Sequence, residues 1–582
     1  MSQHDDKTPL ELLKHFWGYD AFRPLQAEII DSVLAGNDTL ALLPTGGGKS
    51  LTFQIPALKL PGIALVVTPL ISLMKDQTDR LRELGIGASY LRAAMQRYET
   101  SLIFDKCRYG KIDVLYVSPE KLQSRTFLEN FRQINVSLIV VDEAHCISQW
   151  GYDFRPSYLK ITELRNRFPD APVLALTASA TPDVVNDIRK NLNFRPSRSA
   201  FFSRSFARDN ISFLVRHVDV FKEDMLHKIL SSTQGSAIVY TRSRRRTAEV
   251  ANQLRARGIS ADFYHAGLDV EEKNNRQNQW MSGQTRVMVA TNAFGMGIDK
   301  PDVRVVVHLD LPPSLEEYYQ EAGRAGRDGL PSFAVVIVGK TDPARLKRML
   351  TTSFPEKKFI LRVYELLGNF FSIPEGEGEG VMHAFNLWKF TQTYKLPLVE
   401  THSALSILSR AGWIEFIDET EIPSRVMMTV RKEELYSLDL NPNEDKVLTA
   451  ILRKYTGLFS DYTPINENTI STITGLHSDP VHEALITLGR KHALSYIPRN
   501  VSPYIIFTVN RQNPKHITLP REVYQFQRER MAQRLEVVRK FVFTDDTCRV
   551  NLMLQWFGQA PQTDGCGKCD YCRAQKTKNK TS

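Results

Sequence analysis

Asp142-Glu143-Ala144-His145-Cys146-Ile147-Ser148-Gln149-Trp150-Gly151 follows directly on the apolar run Leu138-Ile139-Val140-Val141. A short aliphatic run that stops at a polar pair reads as a parallel strand buried on both faces, hence an α/β sheet. Two adjacent carboxylates at the C-terminal edge of such a strand, Asp142 and Glu143, can hold a magnesium ion and orient a water. An aromatic, polar loop with Trp150, Tyr152, Phe154 and Arg155 starts at once. A metal site joined to a base-stacking surface suggests coupling of nucleotide hydrolysis to nucleic-acid contact.

The partner of the carboxylates lies upstream, in Leu42-Leu43-Pro44-Thr45-Gly46-Gly47-Gly48-Lys49-Ser50. Backbone N–H groups from Thr45 through Gly46, Gly47 and Gly48 can close around phosphate oxygens. Lys49 can reach the outer phosphates, and the Ser50 hydroxyl can join Asp142 as a magnesium ligand. The first glycine of the general phosphate-loop pattern is replaced by Leu43. Alone, such a loop could be an ordinary turn; the strand pattern before it and the acidic pair about a hundred residues later argue against that.

The chain has 582 residues, enough for about three to five domains. No run of about eighteen apolar residues occurs, so no membrane span is expected. The start, Met1-Ser2-Gln3-His4-Asp5-Asp6, lacks the shape of a secretory signal. A net charge of +10 suits a polyanionic partner, although solubility alone explains such a balance as readily. Four of the six cysteines crowd together late in the chain: Cys548, Cys566, Cys569 and Cys572. Two residues between neighbours in the last trio suit tetrahedral zinc, whereas disulfides would need an oxidising compartment to which nothing points. Cys107 and Cys146 read as buried, inert thiols.

Strand patterns Thr39–Leu43, Ile63–Val67, Val114–Val117, Leu138–Val141 and Val173–Leu176 alternate with helical ones. A second block follows, with Ala237–Tyr240, Val287–Ala290, Val303–Leu309 and Ala334–Val338. Two such lobes leave a cleft where strand ends from both face one nucleotide. Beyond residue 345 the pattern turns helical from Phe359 to Phe370, and Glu375–Gly380 reads as a mobile loop. Helix, glycine turn and strand then recur twice (Leu398–Phe416, Val447–Ile497), giving two winged-helix-like units that bind duplex DNA or only pack. A helical run over Glu522–Phe543 leads into the cysteines.

With these motifs, the chain resembles a RecQ-type DNA helicase of superfamily two. Phe16-Trp17-Gly18-Tyr19-Asp20-Ala21-Phe22-Arg23-Pro24-Leu25-Gln26 is similar to that family's adenine-reading segment. The resemblance implies that Tyr19 and Arg23 sandwich the base and Gln26 bonds its edge; a Gln amide presents the donor and acceptor adenine needs. An amphipathic helix covering the first lobe is the plainer reading. Val67-Thr68-Pro69-Leu70 and Val117-Ser118-Pro119-Glu120 would grip DNA phosphates. Leu176-Thr177-Ala178-Ser179-Ala180-Thr181 resembles the family's coupling motif, with Ser179 where Thr is usual. Ala290–Asp299 and Gln320-Glu321-Ala322-Gly323-Arg324-Ala325-Gly326-Arg327 match further motifs. Arg324 and Arg327, three residues apart, would share a helical face if that segment is helical, and one guanidinium, Arg327 before Arg324, would reach the outer phosphate; such arginines are worth about 10³–10⁵ in rate elsewhere. His145 and Gln320 would relay nucleotide state. Trp150 and Phe154 would stack on unpaired bases, beside Arg155. Tyr152 stands where relatives commonly carry His.

The resemblance covers residues 9–345 and 525–575 and implies two tandem RecA-like lobes at 1–205 and 206–345 and a helical zinc-binding module at 519–582; between them, where it is weak, the helix–turn–strand pattern gives winged-helix-like α+β units at 346–440 and 441–518. In well-known relatives the zinc module precedes the winged helix; here roughly 200 residues come between it and the second lobe. The implied activity is ATP-, magnesium- and zinc-dependent, translocating 3′ to 5′ on single-stranded DNA and unwinding duplex DNA in recombination, repair or replication restart. A monomer in the bacterial cytoplasm at the nucleoid is expected, with single-strand-binding protein as a candidate partner. A hairpin carrying Tyr496, Pro498, Arg499 or Tyr504 is either a strand-separating wedge or plain surface. Arg242, Arg244, Arg245 and Arg246 either track phosphates or form a solvated helix face. The rivals are an RNA helicase or duplex translocase sharing the lobes, and a zinc-stapled winged-helix regulator with an idle nucleotide site.

Overall fold

The computed structural model describes residues 6–581 apart from 45, 70, 92–94, 96, 124–126, 128–130, 132–133, 149–150, 152–153, 220, 295–297, 299, 418–423, 431–433, 436–437, 456–457, 460–462, 492 and 498–502. Thr45, Trp150, Tyr152, Pro498, Arg499 and most of the Gly295–Asp299 segment therefore lie outside the described residues. The chain forms two compact units: residues 1–93, 104–348 and 530–582, and residues 94–103 and 349–529.

In the first unit, β1 (Asp38–Leu42), β2 (Ile63–Val67), β3 (Ala88–Leu91), β4 (Val114–Val117), β5 (Val136–Val141), β6 (Val173–Thr177) and β7 (Ser199–Ser203) form a sheet in the order β3-β4-β2-β5-β6-β1-β7. Every pairing is parallel. β1, β2 and β6 are buried along their whole length, and β5 from Leu138 on, which is why their apolar runs are readable in the sequence. Alternate residues, such as Ala64 and Val66, Leu138 and Val140, Leu174 and Leu176, share one core with Ile29, Ile30 and Phe53 from the flanking helices. Each fully buried aliphatic side chain contributes roughly 1.5–3 kcal/mol relative to exposure.

A second parallel sheet follows, from β8 (Ile211–Val218), β9 (Ser236–Tyr240), β10 (Ala261–Tyr264), β11 (Val287–Ala290), β12 (Val303–His308) and β13 (Ser332–Gly339), ordered β10-β11-β9-β12-β13-β8. Four strands went unread in the sequence: β3, β7, β8 and β10. They are the four sheet edges. β7, Ser-Ala-Phe-Phe-Ser, alternates exposed and half-buried positions, whereas β3 and β8 are largely buried but carry Ser89, and Ser212, Arg216 and His217, which break the apolar run.

In the second unit, β14 (Met382–Ala384), β15 (Ile414–Ile417) and β19 (Tyr504–Phe507) form an antiparallel sheet ordered β14-β19-β15. With helices Lys357–Phe370, Leu387–Tyr394 and Leu398–Arg410 this is a winged-helix arrangement. Between β15 and β19 a second sheet forms from β16 (Arg425–Met428), β17 (Thr463–Pro464) and β18 (Leu494–Ile497). Its core runs only from Val426 to Tyr496 in sequence. Hydrogen bonding therefore does not divide the chain at 440/441; one unit is inserted into the other. The ends fit this, because Ile417 faces Tyr504 across the host sheet and Arg425 faces Ile497 across the inserted one. An insert whose ends are adjacent leaves its host undistorted.

Tyr496 and Tyr504 thus stand in different sheets, on β18 and β19, and do not share a hairpin. Tyr496 donates to Glu467 at 2.5 Å and faces His482 Nδ1 at 2.9 Å. The acidic glycine stretch expected to be mobile is tied back: Gly376 N donates to Arg511 O, Glu379 N to Asn510 Oδ1 and Gly380 N to Phe507 O.

Candidate functional site

β1, β5 and β6 end at one edge of the first sheet, and two polar segments leave from it side by side. From β1 comes the glycine loop, which feeds the helix Leu51–Lys59; from β5 come Asp142 and Glu143. They meet in a cavity of about 540 Å³ whose lining includes Gly46, Gly48, Lys49, Ser50, Asp142 and Glu143. Lys49 Nζ lies 3.9 Å from Glu143 Oε1. Across the same cavity stand Gln320, Arg324 and Arg327 from beyond β12. Gly46 comes so close that a Cβ there would lie 3.2 Å from Arg327 Cγ. Arg327 Nη1 donates to Ile298 O at 2.6 Å.

The segment that carries the two arginines is not helical, so the condition for a shared helical face is not met. The helix Leu315–Ala322 ends at Gly323, and Arg324 to Arg327 form turns in which Gly326 has φ +56°. The turn nevertheless brings both guanidinium-bearing residues to the cavity, with Arg324 buried.

Asp142 is buried beside a second carboxylate. Burial, then Glu143, push its carboxyl up to about 6, against Lys49 and the Glu143 N–H, which favour the charged form. A divalent cation would relieve this cost, so the donor set fits magnesium, with Asp142 and Ser50 as its holders. Glu143 has φ +48°, a left-handed conformation rare for a residue with a Cβ. That bend aims its carboxylate at the cavity and toward His145, whose Nδ1 is 3.4 Å from Glu143 Oε2 and 3.0 Å from Thr177 Oγ1. Thr177 Oγ1 in turn donates to Ser179 O, linking the carboxylate to the segment after β6.

The Thr68 hydroxyl, expected to grip a phosphate, has another partner. It is 1% exposed and donates to Asp142 Oδ2 at 3.3 Å, so it supports the carboxylate instead. Ser118 is buried as well. Neither Thr68 nor Tyr158, which donates to Asp142 O at 3.1 Å, carried a sequence signal for this role.

The adenine-reading candidates Tyr19, Arg23 and Gln26 line the same cavity, with Tyr19 54% exposed. Leu12 and Leu13, just before them, are fully buried in the first core, so the segment both covers the lobe and borders the cavity. Both ends of the Gln26 amide are engaged: Oε1 accepts from Arg23 N at 2.8 Å and Nε2 donates to Gly48 O at 2.8 Å. Arg23 Nη1 donates to Gly46 O at 2.5 Å. The donor half of the Gln26 amide thus holds the glycine loop, and the acceptor half holds the backbone at Arg23.

Of the loop after the carboxylates, Phe154 and Arg155 are half-buried, and Arg155 N donates to Cys146 O at 2.9 Å. Gly47 completes the glycine loop, its N–H bonded to Pro44 O. Arg242 is committed to the protein's own acids: it pairs with Glu317 at 2.9 Å, and Arg246 pairs with Asp310 at 2.6 Å. Cys107 and Cys146 are buried, and burial pushes Cys107 up to about 12.

The sulfurs of Cys548, Cys566, Cys569 and Cys572 all lie within 4.8 Å of one another. Cys569 and Cys548 are 3.9 Å apart, Cys566 and Cys572 4.0 Å. Tetrahedral zinc with bonds of about 2.3 Å places sulfurs about 3.8 Å apart, so the cluster fits. Buried Arg549 braces it, Nη2 donating to Asp570 Oδ2 at 2.8 Å. Among the described residues no helix is long and apolar enough to cross a membrane.

Family comparisons agree along the chain. Residues 23–188 match a DEAD/DEAH box helicase model and 221–329 a helicase conserved C-terminal domain. Residues 426–498, the inserted unit, match a RecQ helicase winged-helix domain of Bacteroidota, and 511–573 match RecQ zinc-binding. The ATP-dependent DNA helicase RecQ of Pasteurella multocida is 44% identical over 346 residues, 59% of this chain and 54% of that one. The chain thus spans about half the length of that relative. A solved structure of the DUF1998 helicase MrfA bound to DNA shares the fold over 60% of this chain and 54% of its own, with a TM-score of 0.50 and 18% identity. A probable ATP-dependent DNA helicase RecS of Bacillus subtilis is 40% identical over 362 residues, 61% of this chain and 72% of its own. With that coverage, and with RecQ-specific matches in the winged-helix and cysteine segments, the chain belongs to the RecQ helicase family.

Proposed function

We propose that this protein is an ATP-dependent DNA helicase that moves 3′ to 5′ along one strand and opens duplex DNA, in recombination, repair or replication restart. The observation that carries the reading is the single cavity shared by Lys49, the Asp142–Glu143 pair and the Arg324–Arg327 turn. Residues from both sheets facing one nucleotide give a cleft whose closure depends on the nucleotide's state. The glycine loop from Thr45 to Gly48 would cradle the phosphates, and Lys49 would neutralise the outer ones. Asp142 and Ser50 would hold magnesium, which when bound offsets charge on the phosphates. Glu143 would take a proton from the attacking water, its carboxylate kept in place by the bend at its own backbone and by His145. Arg327, nearest the loop, and then Arg324 would offset charge on the transferring phosphoryl group. Gln320 would report the nucleotide to the second lobe and His145 to Thr177. Tyr19 and Arg23 would flank the base, and Gln26 would exchange Gly48 O and Arg23 N for the base edge. Trp150, Phe154 and Arg155 would contact unpaired DNA.

The bacterial relatives and a DNA substrate favour a cytoplasmic, nucleoid-associated enzyme, working as a monomer with single-strand-binding protein as partner. The chain divides into lobes at 1–205 and 206–345, a winged-helix region at 346–518 in which one unit is inserted into the other, and a zinc module at 519–582. The decisive test is unwinding of duplexes with a 3′ or a 5′ overhang, with ATP and with a non-hydrolysable analogue. Opening of the 3′-tailed duplex with ATP alone is expected; hydrolysis indifferent to added DNA would overturn the reading.

A further inference from the structure

The connection between the two sheets runs from Ser203, at the end of β7, to Ile211, at the start of β8. Two of its side chains turn onto the arginine turn. Arg208 donates through Nη1 to Gly323 O and through Nη2 to Ala325 O and Gly326 O, each at 3.3 Å. Asn210 Nδ2 donates to Gly326 O at 2.7 Å and to Leu330 O at 3.1 Å. Gly326 is enclosed so closely that a Cβ would lie 2.4 Å from Asn210 Nδ2. Carbonyls that follow a helix end have lost their helical partners, and a cation there is favoured by the helix dipole. A planar guanidinium meets several such acceptors at once, which an ammonium cannot do in the same geometry.

We propose that Arg208 is a positioning residue for the arginine turn, setting where Arg324 and Arg327 stand in the nucleotide cavity. Its three acceptors are the backbone carbonyls of Gly323, Ala325 and Gly326, interleaved with the two arginines. Because Arg208 is borne on the stretch that joins the sheets, a change in the path of that stretch moves the turn. The arginines are thereby placed when the joining segment takes one course and displaced when it takes another. Arg208 is not among the residues that line the nucleotide cavity, and its hydrogen bonds to Gly323, Ala325 and Gly326 reach the turn, so it acts through the turn. A misplacement of about 1 Å can cost on the order of 10²-fold in rate.

The inference rests on the ATPase reading above, and its test separates the two. Steady-state ATP hydrolysis with single-stranded DNA is measured for the full chain, Arg208→Met and Arg208→Lys. Affinities for ADP and for ADP with aluminium fluoride, a mimic of the transferring phosphoryl, are measured for these and for Arg327→Ala and Arg208→Met/Arg327→Ala. Arg208→Met should lower kcat by about 10- to 100-fold, and weaken the fluoride complex by a similar factor, with ADP affinity within about twofold of the parent. Arg208→Lys should recover part of the loss. In the Arg327→Ala background the Arg208 substitution should weaken the fluoride complex by less than it does in the parent, because one of the two arginines that Arg208 positions is already gone. Unchanged turnover in Arg208→Met, an equal loss of ADP affinity, or a fully multiplicative double variant overturns the proposal. If Arg208→Met fails to fold, Arg208→Lys decides: an intermediate kcat with parental ADP affinity supports it, and a parental kcat overturns it. A parent that does not hydrolyse ATP overturns the motor reading and this inference together.

Discussion

Excising the inserted winged-helix unit should leave the rest of the protein folded and hydrolysing ATP. The perturbation replaces residues 418–503 with a two-residue Asn-Gly turn, joining Ile417 to Tyr504, which already face each other across β15 and β19. The host loses none of the buried side chains of its own sheet and helices, among them Tyr364, Phe385, Phe390, Leu405 and Phe507. The removed core is built wholly from residues 426–496. The inserted sheet brings its own ends together, Arg425 beside Ile497, so the host's effective loop consists only of the connectors 418–424 and 498–503. Shortening roughly thirteen connector residues to two lowers the closure cost by about 1.7 kcal/mol, from three-halves RT times the logarithm of the length ratio. An Asn-Gly turn also suits the twist of an antiparallel pair. The host should therefore melt no lower than the parent, and DNA-stimulated hydrolysis should stay within a few-fold, because no cavity-lining residue falls in the deleted stretch. Thermal melting followed by circular dichroism, with hydrolysis on single-stranded DNA, reads both. Loss of a cooperative transition, or a melting point lower by ten degrees or so, would refute the claim that the insert carries its own core and leaves the host's intact.

Lys49→Ala should cut DNA-stimulated hydrolysis by at least about 10²-fold while DNA binding by fluorescence anisotropy is retained; normal turnover would dislodge the lysine from the site. Trp150→Ala with Phe154→Ala should bring hydrolysis with DNA down to the DNA-free rate, and stimulation that survives would make the loop structural. Cys569→Ser, or a strong chelator, should remove one zinc per chain by metal analysis and lower the melting point, since binding energy at such a site is folding energy; a parent without zinc ends that assignment. Gly48→Ala should raise the KM for ATP, because φ +75° costs a residue with a Cβ about 1–2 kcal/mol and the new methyl meets Gln26 Nε2; an unchanged KM would show that this amide does not shape the loop.

The nucleotide site was legible because its chemistry is written in short contiguous stretches. The glycine loop and Asp142-Glu143 each follow a strand whose apolar run marks where it ends, so their place at the sheet edge could be read directly. Arg324 and Arg327 were read from a motif, but their geometry was not, since Gly323 and Gly326 end the helix and turn the chain. Thr68 and Gln26 show the limit from the other side. Their donors and acceptors were identified correctly, yet which partner each meets, Asp142 or the loop carbonyl at Gly48, depends on segments far off in sequence.

The same boundary runs through the fold. Strands in the middle of each sheet are buried on both faces, so burial imprints itself on every residue and the run is visible locally. β3, β7, β8 and β10 are edges, and nothing in four to eight mixed residues says that a neighbour will pair with them. The four cysteines announced their common ion through spacing, a short-range property. That a whole winged-helix unit sits inside another became visible only when Ile417 was found opposite Tyr504, a pairing between residues 87 positions apart. Periodicity and spacing record what a residue's own element demands; pairing across such distances is set by packing, which no local pattern encodes.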